Sequence, residues 1–176
     1  MYNWDLAIFR WLNSGVGINS FYDWAIVFRA EYLPWVVGIG IFLFLVFGRD
    51  KKLELKMILQ AFLGAVLARF IFTETIRYFY DRPRPFEVVE GIKTLLEHSS
   101  DGSFPSGHAA LFFAIAMGVY YYHRIWGVVF FLVALSISMG RVAAGLHWPS
   151  DILGGAAVGV ISTWALAFLI KKFQYK

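Results

Sequence analysis

The chain of 176 residues contains no cysteine, which removes disulfides, thiolate metal sites and a cysteine nucleophile from consideration. Charge is also scarce. Asp, Glu, Lys and Arg make up 16% of the residues, where soluble domains carry about 25%. Hydrophobic residues make up 59%, against about 45 to 50% in soluble domains. So little charge beside so much apolar surface excludes a disordered chain and argues against a soluble globule. There are only five prolines, and four of them (Pro83, Pro85, Pro105 and Pro149) stand in short polar clusters between apolar runs. Repeats, low-complexity stretches and linkers are absent, so residues 1–176 are expected to form a single domain.

Aromatic residues are abundant: 18 Phe, 9 Tyr and 7 Trp, the excess that fills lipid-facing surfaces and interfacial belts. Apolar runs cover residues 33–48, 55–78, 106–122, 125–143 and 150–171. Residues 20–30 either extend the first run as one tilted helix or form a separate short one. The expectation is an all-α polytopic membrane helix bundle of five to six transmembrane helices. Pro34 suits the first turn of a helix. Within residues 1–18, Trp4, Ile8, Trp11 and Leu12 fall opposite Asp5 and Arg10, which predicts a helix lying in the membrane interface. The N-terminus lacks the basic start and cleavage site of a secretory signal and is expected to remain in the mature protein.

The formal net charge is +4. Arg49, Lys51, Lys52 and Lys56 form one basic cluster, His123 and Arg124 a second, and Lys171, Lys172 and Lys176 a third. Alternating topology puts all three on one side, which the positive-inside rule makes cytoplasmic. The charge is therefore a topology signal, and no nucleic-acid partner is expected. Segments 79–105 and 144–149 then share the opposite side, and these hold the unusual residues.

Three clusters stand there. The first, Arg77-Tyr-Phe-Tyr-Asp-Arg82-Pro-Arg84-Pro85, gathers three arginines where two prolines force an extended chain. Arg grips phosphate through paired hydrogen bonds, and simple interfacial anchoring is the alternative. The second, Ser103-Phe-Pro105-Ser106-Gly107-His108, reads as a helix start. Its unpaired N–H groups and positive dipole end can cradle an anion, with the Ser106 hydroxyl adding a bond and Gly107 allowing close approach; taken alone, a helix cap with an incidental histidine is the favoured account. The third runs from Arg141 through His147 and Pro149 to Asp151. At that spacing Asp151 can accept the ring N–H of His147 and leave the other nitrogen as a nucleophile. A helix cap and a His–Asp metal pair are the alternatives; no further ligand of matching spacing accompanies the pair, so neither metal nor cofactor is expected.

Together the clusters resemble the type 2 phosphatidic acid phosphatase superfamily, whose motifs are Lys-x6-Arg-Pro, Pro-Ser-Gly-His and Ser-Arg-x5-His-x3-Asp. Here they appear as Arg77-x6-Arg84-Pro85, Pro105 to His108, and Gly140-Arg141-x5-His147-x3-Asp151. Arg77 stands for the usual lysine and Gly140 for the serine. The resemblance implies an integral membrane lipid phosphatase, most similar to small bacterial undecaprenyl-diphosphate phosphatases, in the inner membrane with its site facing the extracytoplasmic side. It implies that His147, oriented by Asp151, attacks phosphorus to form a phosphohistidine, that His108 protonates the leaving oxygen, and that Arg77, Arg84, Arg141, Ser106 and Gly107 hold the phosphoryl oxygens. Phosphatidylglycerophosphate, phosphatidate and lipid A phosphatases share the motifs. A non-catalytic lipid-phosphate binder, or a transporter whose histidines serve protons, is the reading from another class, although a binder has no need of both histidines. A haloperoxidase of similar motifs is disfavoured by the membrane composition.

Two arginines are assigned supporting roles. Arg69 lies inside a span, where a charge is costly unless paired; it shares a face with Thr73 and Arg77, and Glu31 or Glu74 is its expected partner. Arg82 is read as an extra charge for head-group capture. Gly155 and Gly159 make a small-residue face, expected to serve packing within the chain rather than a dimer. The protein is thus expected as a monomer or homodimer. His98 and His123 fall outside the motifs.

Overall fold

The computed structural model describes residues 3–97 and 101–174; His98 and Lys176 lie outside them. Among the described residues all regular structure is helical. The helices are α1 (Asn3–Asn13), α2 (Ser20–Phe47), α3 (Lys51–Phe79), α4 (Pro85–Val88), α5 (Gly107–Tyr122), α6 (Arg124–Ala143) and α7 (Pro149–Gln174). Four of them, α2, α3, α6 and α7, are long and apolar enough to cross a membrane, and α5 is a shorter apolar helix.

Residues 20–47 form one helix, not two. Asn19 starts it by accepting the Phe21 N–H, and a wide π turn over Phe28–Tyr32 carries it onward, the Leu33 N–H reaching back to the Phe28 carbonyl. Pro34 therefore sits inside the helix instead of opening one. The widening directly precedes it, where a regular turn would press the proline ring against the carbonyl four residues back. At about 1.5 Å per residue this helix exceeds a hydrocarbon core of about 30 Å, a mismatch that tilt absorbs.

Helix α5 is central and packs against α3, α6 and α7. Its small buried residues, Ala109, Ala110, Ala114, Ala116 and Gly118, let the neighbouring backbones close in. A Cβ on Gly155 or Gly159 of α7 would come within 2.4 Å of the Ser106 or Ala110 carbonyl oxygen. The small-residue face is thus occupied within the chain. Larger side chains, among them Met57, Phe112, Val119, Phe130 and Ile137, fill the rest of the core. Phe42, Phe62, Leu132, Ile161 and Phe168 point outward, as lipid-facing residues do.

The ends of the bundle differ. Lys56, Tyr122 and Lys171 line one cavity, and His123 bonds the buried Glu54 at 3.0 Å, so the three basic clusters gather at one end. His123, which no motif claims, is the partner of that carboxylate. The opposite end carries the loops between α3 and α5 and between α6 and α7. Helix α1 docks there, with the Asn13 amide donating to the Lys93 and Ala143 carbonyls and Phe9 packed on Trp148. Trp4, Ile8 and Trp11 are exposed and face outward like the lipid-facing residues of the bundle, while Asp5, on the side expected to be solvated, is buried. Polar ties to the loops and the burial of Phe9 together set which face turns inward.

Candidate active site

Local sequence places each component. Helix α6 ends at Ala143, and Gly145 takes a left-handed φ of 89°, which glycine adopts without steric cost. The chain reverses there, with the Leu146 N–H bonding the Arg141 carbonyl, so Arg141 and His147 sit on either side of one turn. Asp151, in the first turn of α7, reaches back to the Trp148 N–H at 2.8 Å, as the acidic member of a capping box does. The same oxygen lies 3.4 Å from His147 Nδ1. Cap and histidine partner, alternatives in the sequence, are combined in one carboxylate.

His147 is almost wholly buried. Its Nδ1 faces two acceptors, the Ser103 carbonyl at 3.1 Å and Asp151 Oδ2 at 3.4 Å. These acceptors assign the ring proton to Nδ1 and put the lone pair on Nε2. Arg84 Nη1 stands 3.3 Å from Nε2. Orientation of the ring thus depends on a backbone carbonyl from the second cluster as well as on Asp151, a contribution that no side-chain pattern signals.

The arginines converge around one carboxylate. Arg77 Nη1 donates to Asp101 Oδ2 at 2.8 Å and Arg84 Nη2 to Asp101 Oδ1 at 2.9 Å. Arg77 also holds the Pro105 carbonyl; Arg84 holds the Asp101 and Leu146 carbonyls. A carboxylate bridging two buried guanidinium forks occupies the kind of position that a phosphoryl group fills. Asp101 was not singled out in the sequence. Arg141 is buried, and among the described residues its Nε has no hydrogen-bond partner. Arg141 and His108 line a cavity of about 410 Å³ with Glu31, Trp35, Leu96 and Glu97.

At the start of α5 the buried Ser106 caps the helix with its Oγ, which accepts from the Ala109 N–H, and its own N–H donates to the Asp151 carbonyl at 3.0 Å. That bond locks the second cluster onto the third. The space left by the missing side chain of Gly107 is taken by the Arg69 guanidinium. Arg69 pairs with Glu74, not Glu31, and lies in a second π segment, Leu67–Phe72. Arg82 departs from its reading as a head-group charge: it donates to Asp151, Ser150 and Asp5 and is committed internally. Among the described residues no group of three or more His, Asp or Glu is placed to hold a metal ion.

All three motifs therefore meet at one end of the bundle, and the PAP2 superfamily profile matches residues 58–175. The chain belongs to the PAP2 superfamily. Among PAP2-related proteins, the bacitracin transport permease protein BcrC of Bacillus licheniformis is 28% identical over 171 residues, 97% of this chain and 83% of that protein. The undecaprenyl-diphosphatase BcrC of Bacillus subtilis is 29% identical over 170 residues, 97% and 84% of the two chains. The crystal structure of Aquifex aeolicus LpxE superposes with a TM-score of 0.73 at 27% identity, covering 94% of this chain and 96% of that one.

The structure also accounts for one departure from the PAP2 motifs. A Cβ on Gly140 would lie 2.9 Å from Arg29 Cβ and 3.0 Å from the Ala30 nitrogen. The position that holds serine in the family pattern is here pressed against the π turn of α2, and only glycine leaves room.

Proposed function

We propose that this chain is an integral membrane phosphatase that converts undecaprenyl diphosphate to undecaprenyl phosphate through a phosphohistidine on His147. The observation that carries the reading is the fixed imidazole, with Nδ1 on two acceptors and Nε2 on Arg84 beside a second phosphate-gripping arginine. A binder would need the arginines alone. The reading is supported by the diphosphatase named among the relatives, which matches nearly the whole chain; the relative named as a permease keeps transport as the competing reading.

In this reading five spans, α2, α3, α5, α6 and α7, form one domain in the bacterial inner membrane, with the basic end cytoplasmic and the site facing the extracytoplasmic side. Arg77, Arg84 and Arg141 neutralise the equatorial oxygens of the terminal phosphoryl group, with Ser106 and the start of α5 supplying further donors. Nε2 of His147 attacks phosphorus, the bond to the bridging oxygen breaks, and His108 gives that oxygen its proton. Lipid monophosphate departs. Water, deprotonated by His108, then attacks phosphorus, the P–N bond breaks and inorganic phosphate leaves. General acid-base help of this kind contributes about 10²- to 10⁴-fold.

The test is phosphate release in detergent, with EDTA present, from undecaprenyl diphosphate, phosphatidylglycerophosphate, phosphatidate and lipid A. Undecaprenyl diphosphate is expected to be the best substrate and His147→Ala inactive. Full turnover by His147→Ala, or no release from any lipid, refutes the reading. Loss of activity in EDTA that returns with a divalent metal removes the metal-free mechanism. Because the chain lacks cysteine, Glu90→Cys and Lys172→Cys can be labelled singly, and labelling of both from one side contradicts the orientation.

A further inference from the structure

The N-terminal helix reaches the machinery through a line of buried charges. Asp5 is 0% exposed. Its Oδ2 accepts from Arg82 Nη2 at 2.6 Å and from the Ser150 hydroxyl at 2.6 Å, and its Oδ1 accepts from the Ser150 N–H at 2.9 Å. Arg82 Nη1 donates to Asp151 Oδ1 at 2.6 Å, while its guanidinium lies over the Trp148 ring. The other oxygen of Asp151 takes the Trp148 N–H and faces His147 Nδ1. The sequence Asp5, Arg82, Asp151, His147 thus runs from α1 to the nucleophile without a gap, and its first member lies outside the matched PAP2 region, which begins at residue 58.

We propose that Asp5 is a positioning residue for phosphoryl transfer, acting through Arg82 and Asp151 on His147; this rests on the phosphatase reading above. Two physical effects combine. The guanidinium is planar, so Asp5 on Nη2 fixes the plane in which Arg82 presents Nη1 to Asp151. Arg82 held by Asp151 alone would also place its whole charge on that carboxylate. Shared with Asp5, it leaves Asp151 enough negative character to hold the Nδ1 proton of His147 and to stabilise the imidazolium that forms when the phosphohistidine breaks down. Asp5 contacts none of the arginines assigned to the phosphate, so substrate binding does not depend on it directly.

The test uses the full chain in detergent with undecaprenyl diphosphate. Asp5→Asn keeps the shape of the side chain and an oxygen for the Ser150 N–H, and loses the charge on Arg82. It is expected to lower kcat about tenfold, equivalent to about 1.4 kcal/mol of transition-state stabilisation, with KM within about twofold of wild type. Arg82→Gln is expected to be worse, because it leaves two buried carboxylates without the charge between them. In that background Asp5→Asn removes one uncompensated carboxylate, so the double variant should turn over at least as fast as Arg82→Gln. The sign of the Asp5 effect therefore reverses between backgrounds. If Asp5 only docks α1, its two effects multiply and follow the melting temperature, and the proposal fails. Wild-type kcat in Asp5→Asn, or a change confined to KM, also overturns it. A wild-type chain that releases no phosphate from any lipid brings down the phosphatase reading itself, whereas an active wild type with an indifferent Asp5 removes the positioning role alone.

Discussion

Asp101 makes a prediction whose sign is unusual for a residue lying inside a proposed catalytic site. Its carboxylate bridges Arg77 and Arg84 at 2.8 and 2.9 Å, so an incoming phosphate must displace it. Replacing it by asparagine preserves one acceptor oxygen and removes the competing charge. Hydrogen bonds to charged groups contribute about 1.5 to 3 kcal/mol when buried, and exposed ion pairs about 0 to 1 kcal/mol. The Asp101 side chain is 44% exposed, so each of its two bonds is discounted to about 0.5 to 1 kcal/mol. Losing one bond outright and weakening the other amounts to about 0.5 to 1.5 kcal/mol, a factor of about 2 to 13 in affinity. Inorganic phosphate, the released product, is the probe: its inhibition constant against lipid phosphate hydrolysis should fall by that factor in Asp101→Asn. An inhibition constant that stays the same or rises refutes the competition. Asp101 would then be organising the two arginines for phosphate, not standing in its place.

Two further substitutions test the packing arguments. Gly140→Ser, which restores the PAP2 motif residue, should lower the melting temperature in detergent by an amount equivalent to about 1 to 3 kcal/mol, because its Cβ meets the backbone of α2; an unchanged or higher melting temperature refutes the steric account. His123→Ala strips the buried Glu54 of its partner at the far end of the bundle. It should cost about 1 to 3 kcal/mol of stability while kcat and KM stay at wild-type values, and a fall in kcat would show that the two ends are coupled.

The spans and the three motifs were legible because both are local patterns. Apolar runs announce helices of membrane length, and a helix start or a histidine four residues before an aspartate needs only neighbouring positions. Less legible was whatever depends on contacts between distant segments. Asp5 looks like the polar face of an amphipathic helix, and only the presence of Arg82 and Ser150, far along the chain, explains why it is buried. Arg82 looked like one more head-group charge for the same reason. Asp101 carries no motif. The Ser103 carbonyl that orients His147 belongs to the backbone, so any residue there would supply it. Pro34 misplaced a helix start because a proline is tolerated inside a helix once the preceding turn widens, and the widening leaves no mark in composition. Gly140 appeared as a missing hydroxyl and proved to be a steric requirement.

The shortness of α5 bears on where the reaction takes place. Its 16 residues rise about 24 Å, against a hydrocarbon thickness of about 30 Å. Tyr122 is level with the basic end of the bundle, so in the proposed orientation the Gly107 end, with the three motifs around it, is recessed from the ends of the longer helices. A lipid can therefore present its head group by lateral diffusion while its tail stays in the bilayer. In the proposed orientation a preference for membrane-borne over water-borne phosphate esters is the expected consequence of that recess.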